Sequence, residues 1–241
     1  MTGRLIGVGV GPGDPDLITL KAVRALGAAD VIAHFAKAGN SSHARAIASA
    51  HFPPGAEEVP LLYPVTTEIH HRDEAYRSAI TAFYDASAAA LAERLMAGQT
   101  VAVLSEGDPL FYGSYMHLHV RLAHRFPTEV IAGVTGMSGC WSTVGAPIAQ
   151  GEDVLMVLPG TLNEDALALR LAQADAAVIM KVGRNLPKIR RALERAGRLE
   201  RAIYVERGTM AGCTHIPLAA RDDARAPYFA IVLVPGWEGA A

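Results

Sequence analysis

Apolar residues in this chain gather in short β-branched runs that stop at glycine or proline, and between those runs they recur at helical spacing. Residues 4–10 read as a first strand running into Gly11-Pro12-Gly13-Asp14-Pro15. Asp14 with Pro15 reads as the cap and first turn of a helix to Leu26, carrying Leu17, Leu20 and Val23 before Gly27 stops it. Residues 30–34 give a second strand. From residue 38 to 64 the pattern is broken by Asn40-Ser-Ser, Pro53-Pro54-Gly55 and Pro60, which predicts a short helix over 43–51 and a return strand. Residues 72–97 read as a long alanine-rich helix ended by Gly98. A strand over 100–104 follows, then a tight turn, then a helix that Ser114 can cap, running to about Arg125. Residues 126–132 form a further strand, closed by Gly133-Val-Thr-Gly136-Met-Ser-Gly139, and a helix over 138–144 can start there.

Beyond Gly145-Ala-Pro147 the pattern restarts, with strands expected over 153–158, 177–182, 202–205 and 228–234. Helices are expected over 163–174 and 186–196, the first capped by Asn163. Alternation of this kind predicts an α/β protein, and the restart predicts two lobes, residues 1–135 and 136–241.

Chemistry is expected where strands end in glycine turns. Leu104-Ser-Glu106-Gly107-Asp108-Pro109-Leu-Phe111-Tyr112-Gly-Ser114 has the strand, loop and helix order that places a small ligand at the carboxyl end of an α/β sheet. The Gly11-Pro-Gly13 and Gly133-Val-Thr-Gly136 turns repeat that arrangement. A dinucleotide fingerprint fails here: starting from Gly7 or Gly9, the third glycine position holds Pro12 or Asp14, and no phosphate-loop lysine follows.

Composition narrows the partners. Lys and Arg total 22 against 24 Asp and Glu, a net charge of −2, so no overall field draws nucleic acid or an acidic membrane. The amino-terminal residues lack the form of a signal peptide, and no run is apolar for long enough to span a bilayer, so a soluble cytoplasmic protein is expected. Cys140 and Cys213 are far apart, and His117 and His119 or His70 and His71 have poor zinc spacing, so neither a disulfide framework nor a metal site is expected.

Three features together, Gly9-Val-Gly-Pro-Gly13 with Leu17, Thr19 and Ala22 behind it, Glu106-Gly-Asp-Pro109, and Gly133-Val-Thr135, resemble the tetrapyrrole methylases in order and spacing. The Ser105-Glu106-Gly-Asp-Pro-Leu-Phe-Tyr112-Gly-Ser114 version, followed by Tyr115-Met-His-Leu118, looks most like the family's precorrin-2 C20 branch; many relatives carry a second glycine where Glu106 stands. The resemblance implies a class III methyltransferase fold of two α/β lobes with S-adenosyl-L-methionine in the cleft between them, usually in a homodimer. By motif position it implies cofactor contacts from Pro12, Glu106, Gly107, Asp108, Phe111, Thr135 and Gly136, with Met180, Gly208, Thr209 and Ala230 less securely aligned. It implies methylation of precorrin-2 at C20, or of its cobalt-loaded counterpart.

Methyl transfer needs alignment of donor and acceptor and no metal. For a base that removes a proton afterwards, Glu106, Tyr112 and His34 are the candidates. The competing readings are a loop carboxylate bonded to backbone amides for Glu106 and a core aromatic for Tyr112. A tetrapyrrole is a polycarboxylate, so Arg72, Lys181, Arg184 and Lys188 are its candidate anchors. Diphthine synthesis, uroporphyrinogen-III methylation, ribosomal RNA ribose methylation and a catalytically silent cofactor-binding role are the alternatives, since one fold hosts many functions.

Overall fold

The computed structural model describes residues 2–64 and 73–236. The chain divides into two compact units, Met1–Gly136 and Met137–Ala241.

The first unit holds strands β1 (Arg4–Gly9), β2 (Val31–Lys37), β3 (Glu57–Tyr63), β4 (Thr100–Ser105) and β5 (Thr128–Ile131), with helices α1 (Leu20–Gly27), α2 (His43–Ala48), α3 (Glu74–Met96) and α4 (Tyr115–Leu122). The strands form one parallel sheet in the order β3-β2-β4-β1-β5. This is not the order of a dinucleotide-binding sheet. Both faces are covered, which is why the inner strands β1, β2 and β4 read as almost unbroken apolar runs. Leu5, Val101 and Val103 face the helices α3 and α4 through Leu91, Leu95, Leu118 and Leu122. Ile6, Val8, Ala102 and Leu104 face the other way, onto Ala22 and Leu26 of α1 and Ala44 and Ile47 of α2.

Local chemistry sets the helix ends. The Thr19 hydroxyl accepts the Ala22 amide to start α1. At the other end of α3, Gly98 adopts φ +88° and donates to the Leu95 carbonyl, while Gln99 donates to that of Arg94. Two expectations need correction. Asp14 and Pro15 open only a single 3-10 turn over Pro15–Leu17, because Ile18 and Thr19 return to extended geometry and Thr19 starts the α-helix anew. Ser114 is not a side-chain cap of α4; its hydroxyl is engaged by two tyrosines.

The second unit contains α5 (Gly136–Val144), which begins on the last residue of the first, then β6 (Leu155–Pro159), α6 (Glu164–Gln173), β7 (Ala176–Met180), α7 (Leu186–Arg195), β8 (Ile203–Glu206), β9 (Thr214–Pro217) and β10 (Ala230–Val234). Its sheet runs β6-β7-β10-β8-β9, with β6 and β7 parallel and β10 antiparallel to both neighbours. One face packs on Leu167, Leu171, Ile189 and Leu193 of α6 and α7. The other packs on Cys140, Met137 and Trp141 of α5. Strand β9 escaped the sequence reading because all four of its residues are exposed and it lies at the sheet edge, where no burial pattern is imposed.

Candidate active site

Strands β4, β1 and β5 are neighbours and parallel, so their carboxyl ends deliver three loops to one sheet edge. The loops touch backbone to backbone. Gly107 donates to the Gly11 carbonyl at 2.8 Å, and Val10 donates to that of Ser105 at 3.0 Å. A Cβ on Gly9 would stand 2.6 Å from the Gly133 nitrogen and 2.8 Å from the Gly107 oxygen, and one on Gly133 would overlap that same oxygen. Gly107 itself adopts φ +65°, and its Cβ position lies 3.6 Å from the Gly136 nitrogen. Glycine at 9 and 133 is therefore dictated by contact, since any side chain there would drive the turns apart, whereas at 107 it is dictated by the left-handed backbone.

Asp108 fastens the arrangement. One carboxylate oxygen accepts the Leu110 amide at 2.9 Å, closing its own turn, and the other accepts the Gly133 amide at 3.2 Å across to the β5 loop. Behind the loops, the Tyr115 ring fills the place a side chain on Gly7 would need. Its hydroxyl is pushed up to about 12 by burial, against which a hydrogen bond with the Gly7 backbone works. The sequence reading passed over Gly7 and Tyr115 as functional supports; a glycine inside an apolar strand is the signal that marks such a close approach.

The other site expectations fall in several places. Pro12 lies in the first loop, Phe111 beyond Asp108 in the second, and Thr135 and Gly136 in the third. Glu106 follows β4, but its carboxylate accepts the Ala44 amide in the first turn of α2. Burial raises its pKa, while nearby His43 and that amide lower it. This is the backbone-bonded reading of Glu106. His34 is buried within β2, 3.8 Å from Glu58, and its pKa is lowered first by burial. Its charged neighbours are Glu58 and Arg45. Tyr112 is not the core aromatic that was the alternative: it is 47% exposed and packs edge-on against Phe111. Arg72, His70 and His71 lie outside the described residues.

In the second unit, the carboxyl ends of β7 and β8 and the amino end of β10 share one edge, because β10 runs antiparallel between them. Met180, Gly208, Thr209 and Ala230 all lie along it. A Cβ on Gly208 would stand 2.5 Å from Cys140 Sγ, so this loop also presses on α5. Lys181 and Arg184 occupy the β7–α7 connection and Lys188 the first turn of α7, tied through Asn185, which donates to the Lys181 carbonyl at 3.0 Å and accepts from Lys188 Nζ at 3.3 Å. Burial, then the charges of Arg184 and Arg191, lower the Lys188 pKa. Such a cationic group is suited to carboxylates.

Among the described residues four non-glycines have left-handed backbone: Tyr112 (φ 55°), Lys181 (φ 56°), Arg207 (φ 51°) and Thr209 (φ 66°). Each costs on the order of 1–3 kcal/mol, and such strain gathers at ligand clamps. All four border the loops just described. Arg207 carried no signal in sequence, since nothing in residue type alone announces a left-handed arginine.

No helix among the described residues is long and apolar enough to cross a membrane, and no group of three or more His, Cys, Asp or Glu there could hold a metal ion.

Residues 4–220 match the family model described as Tetrapyrrole (Corrin/Porphyrin) Methylases. The chain is 66% identical over 236 residues to a precorrin-2 C(20)-methyltransferase of Sinorhizobium sp, covering 98% of this chain and 96% of that protein. It is 31% identical over 242 residues to the cobalt-precorrin-2 C(20)-methyltransferase of Salmonella typhimurium, covering 99% of each. A solved uroporphyrin-III C-methyl transferase from Thermus thermophilus, complexed with S-adenyl homocysteine, shares the fold at TM-score 0.67 and 24% identity, covering 97% of this chain and 92% of that one. With one family pattern spanning both α/β units and a full-length relative at two-thirds identity, the chain belongs to the tetrapyrrole methylases.

Proposed function

We propose that this chain transfers the methyl group of S-adenosyl-L-methionine to C20 of precorrin-2, giving precorrin-3A on the route to cobalamin and releasing S-adenosyl-L-homocysteine. The observation that carries the reading is the 66% identity, over 98% of the chain, to a protein of that activity. The first unit's glycine cradle fits the cofactor, because its loops approach with no side chain between them. Pro12, Gly107, Asp108, Phe111, Thr135 and Gly136 are the proposed contacts there. Met180, Gly208, Thr209 and Ala230 are those proposed in the second unit.

When bound, the cofactor supplies an electrophilic methyl on a positively charged sulfur. The chain's part is alignment, which is worth several orders of magnitude in rate when reacting atoms are held in line. Loop carbonyls can hold the polarised methyl by weak C–H···O contacts. Lys181, Arg184 and Lys188, with Arg72, anchor the substrate's carboxylates. The methyl would pass to C20 with its bonding pair left on the cofactor's sulfur, and a proton would leave the macrocycle afterwards. Glu106 and His34 are not assigned that proton, since their carboxylate and imidazole face α2 and the β2–β3 pair. The resemblance also supports a cytoplasmic location and a homodimer, the latter tested by light scattering on purified protein.

The deciding assay offers purified protein methyl-labelled cofactor with precorrin-2 and, side by side, its cobalt-loaded form, and locates the methyl by NMR. Label at C20 with a preference for metal-free substrate is expected. Preference for the cobalt form would move the chain to the branch of its 31% relative. Label in RNA or protein alone, or cofactor binding without product, would end the tetrapyrrole reading.

A further inference from the structure

Ser114 stands where a helix cap should be and caps nothing. It has helical backbone angles, φ −69° and ψ −24°, and makes no side-chain bond to the amides of α4. Its Oγ is instead hydrogen-bonded with the Tyr63 hydroxyl, from the end of β3, and accepts that of Tyr84, from α3, at 3.1 Å. A hydroxyl diverted from a cap toward residues 51 and 30 positions away is serving tertiary geometry.

The two tyrosines are held firmly. Tyr84 is 5% exposed and stacks on His117 with ring centroids 4.1 Å apart. Tyr63 and Tyr84 both pack on Phe83, at 4.9 and 5.1 Å. The chain immediately before Ser114 is constrained too: a Cβ on Gly113 would stand 2.7 Å from Ser105 Oγ and 3.2 Å from the Pro109 carbonyl. Between this pinned glycine and the cofactor loop sits Tyr112, in left-handed geometry and 47% exposed as a residue. Left-handed tyrosine persists only where its surroundings over-determine it. Here the surroundings are the Gly113 packing and the three-hydroxyl clamp.

We propose that Ser114 is a positioning residue: clamped by Tyr63 and Tyr84, it locks the Tyr112–Gly113 turn so that the Tyr112 ring presents a stacking face to the tetrapyrrole beside the cofactor loop. The inference rests on the methyltransferase reading above and assigns Tyr112 to substrate recognition, not proton removal. A broad conjugated macrocycle matches an exposed ring, and fixing that ring in advance lowers the ordering cost of binding.

The test separates substrate from cofactor. Tyr112→Leu, Tyr112→Phe, Ser114→Ala, Ser114→Thr and the double variant Tyr63→Phe/Tyr84→Phe are compared with wild type for KM and kcat on precorrin-2 and for Kd of S-adenosyl-L-homocysteine. Tyr112→Leu is expected to raise KM about tenfold, and Tyr112→Phe, which keeps the ring, to stay within about twofold of wild type. Ser114→Ala and the double variant are expected to raise KM several-fold with the S-adenosyl-L-homocysteine Kd unchanged, and Ser114→Thr to restore KM. An unchanged KM in Tyr112→Leu, or an S-adenosyl-L-homocysteine Kd that rises in step with KM in Ser114→Ala, overturns the proposal. Loss of turnover in Tyr112→Phe with KM unchanged would return the phenol to a chemical role and overturn it as well. A wild-type chain that does not methylate precorrin-2 would instead strike the underlying reading.

Discussion

Replacing Gly9 by alanine isolates the contact on which the first unit's loop cluster depends. No left-handed angle is involved at this position, so the substitution tests space alone. The added Cβ would lie 2.6 and 2.7 Å from the Gly133 nitrogen and Cα and 2.8 Å from the Gly107 oxygen, whereas ordinary contact begins at 3.4 Å. These neighbours are backbone atoms in hydrogen-bonded loops, so relief requires the β5 loop to retreat by about 0.8 Å and the β4 loop by about 0.6 Å. Overpacking of this kind costs about 1–3 kcal/mol. For a protein of this size each kcal/mol is worth about 2–4 °C in Tm. A misplacement near 1 Å can also cost about 100-fold where geometry decides function. We therefore expect Gly9→Ala to lower the calorimetric Tm by several degrees and to weaken S-adenosyl-L-homocysteine binding at least tenfold by titration calorimetry. Gly27→Ala is the control: a Cβ there meets nothing within 4 Å at the end of α1, so Tm and affinity should hold or rise slightly. Wild-type affinity and Tm in Gly9→Ala would refute the claim that the loops are spaced by bare backbone.

Other perturbations read separate parts of the same unit. Asp108→Ala removes the carboxylate that joins two loops and should cost about 1–2 kcal/mol with roughly tenfold weaker S-adenosyl-L-homocysteine binding, measured by urea unfolding and calorimetry. Glu106 has a pKa raised above its ordinary 4.5 by burial, so its share of stability is present below that value and declines as pH rises through the raised pKa; Glu106→Gln should remove this decline from unfolding curves taken between pH 4.5 and 8. His34 has the opposite sign: its pKa is lowered from 6.5, so its contribution is complete above pH 6.5 and is lost as pH falls from there toward the folded-state value. His34→Gln should flatten stability over that interval, and an unaltered pH slope would show that the buried imidazole is not the titrating group. Gly98→Ala forces a side chain into φ +88° at the end of α3 and should cost about 1 kcal/mol by the same measurement, without touching cofactor affinity.

Alternation of β-branched runs with helical spacing was enough to specify an α/β chain, the positions of most elements, and three strand-ending glycine turns, because those properties are local. Thr19 and Ser114 show where local rules stop. Thr19 starts α1 although Asp14-Pro15 is the stronger capping signal upstream, since Ile18 is drawn back into extended geometry. Ser114 has a cap's chemistry, yet its hydroxyl is taken by phenols brought from β3 and α3. The order β3-β2-β4-β1-β5, which makes neighbours of loops far apart along the chain, is likewise invisible in periodicity, because parallel pairing is a long-range choice. So the amino-acid order by itself determined which turns would be bare of side chains. Only the tertiary structure decided that Gly9, Gly107 and Gly133 are bare against one another, and that Glu106 turns to α2 while Tyr112 turns to solvent, because strand order and packing choose a side chain's neighbours.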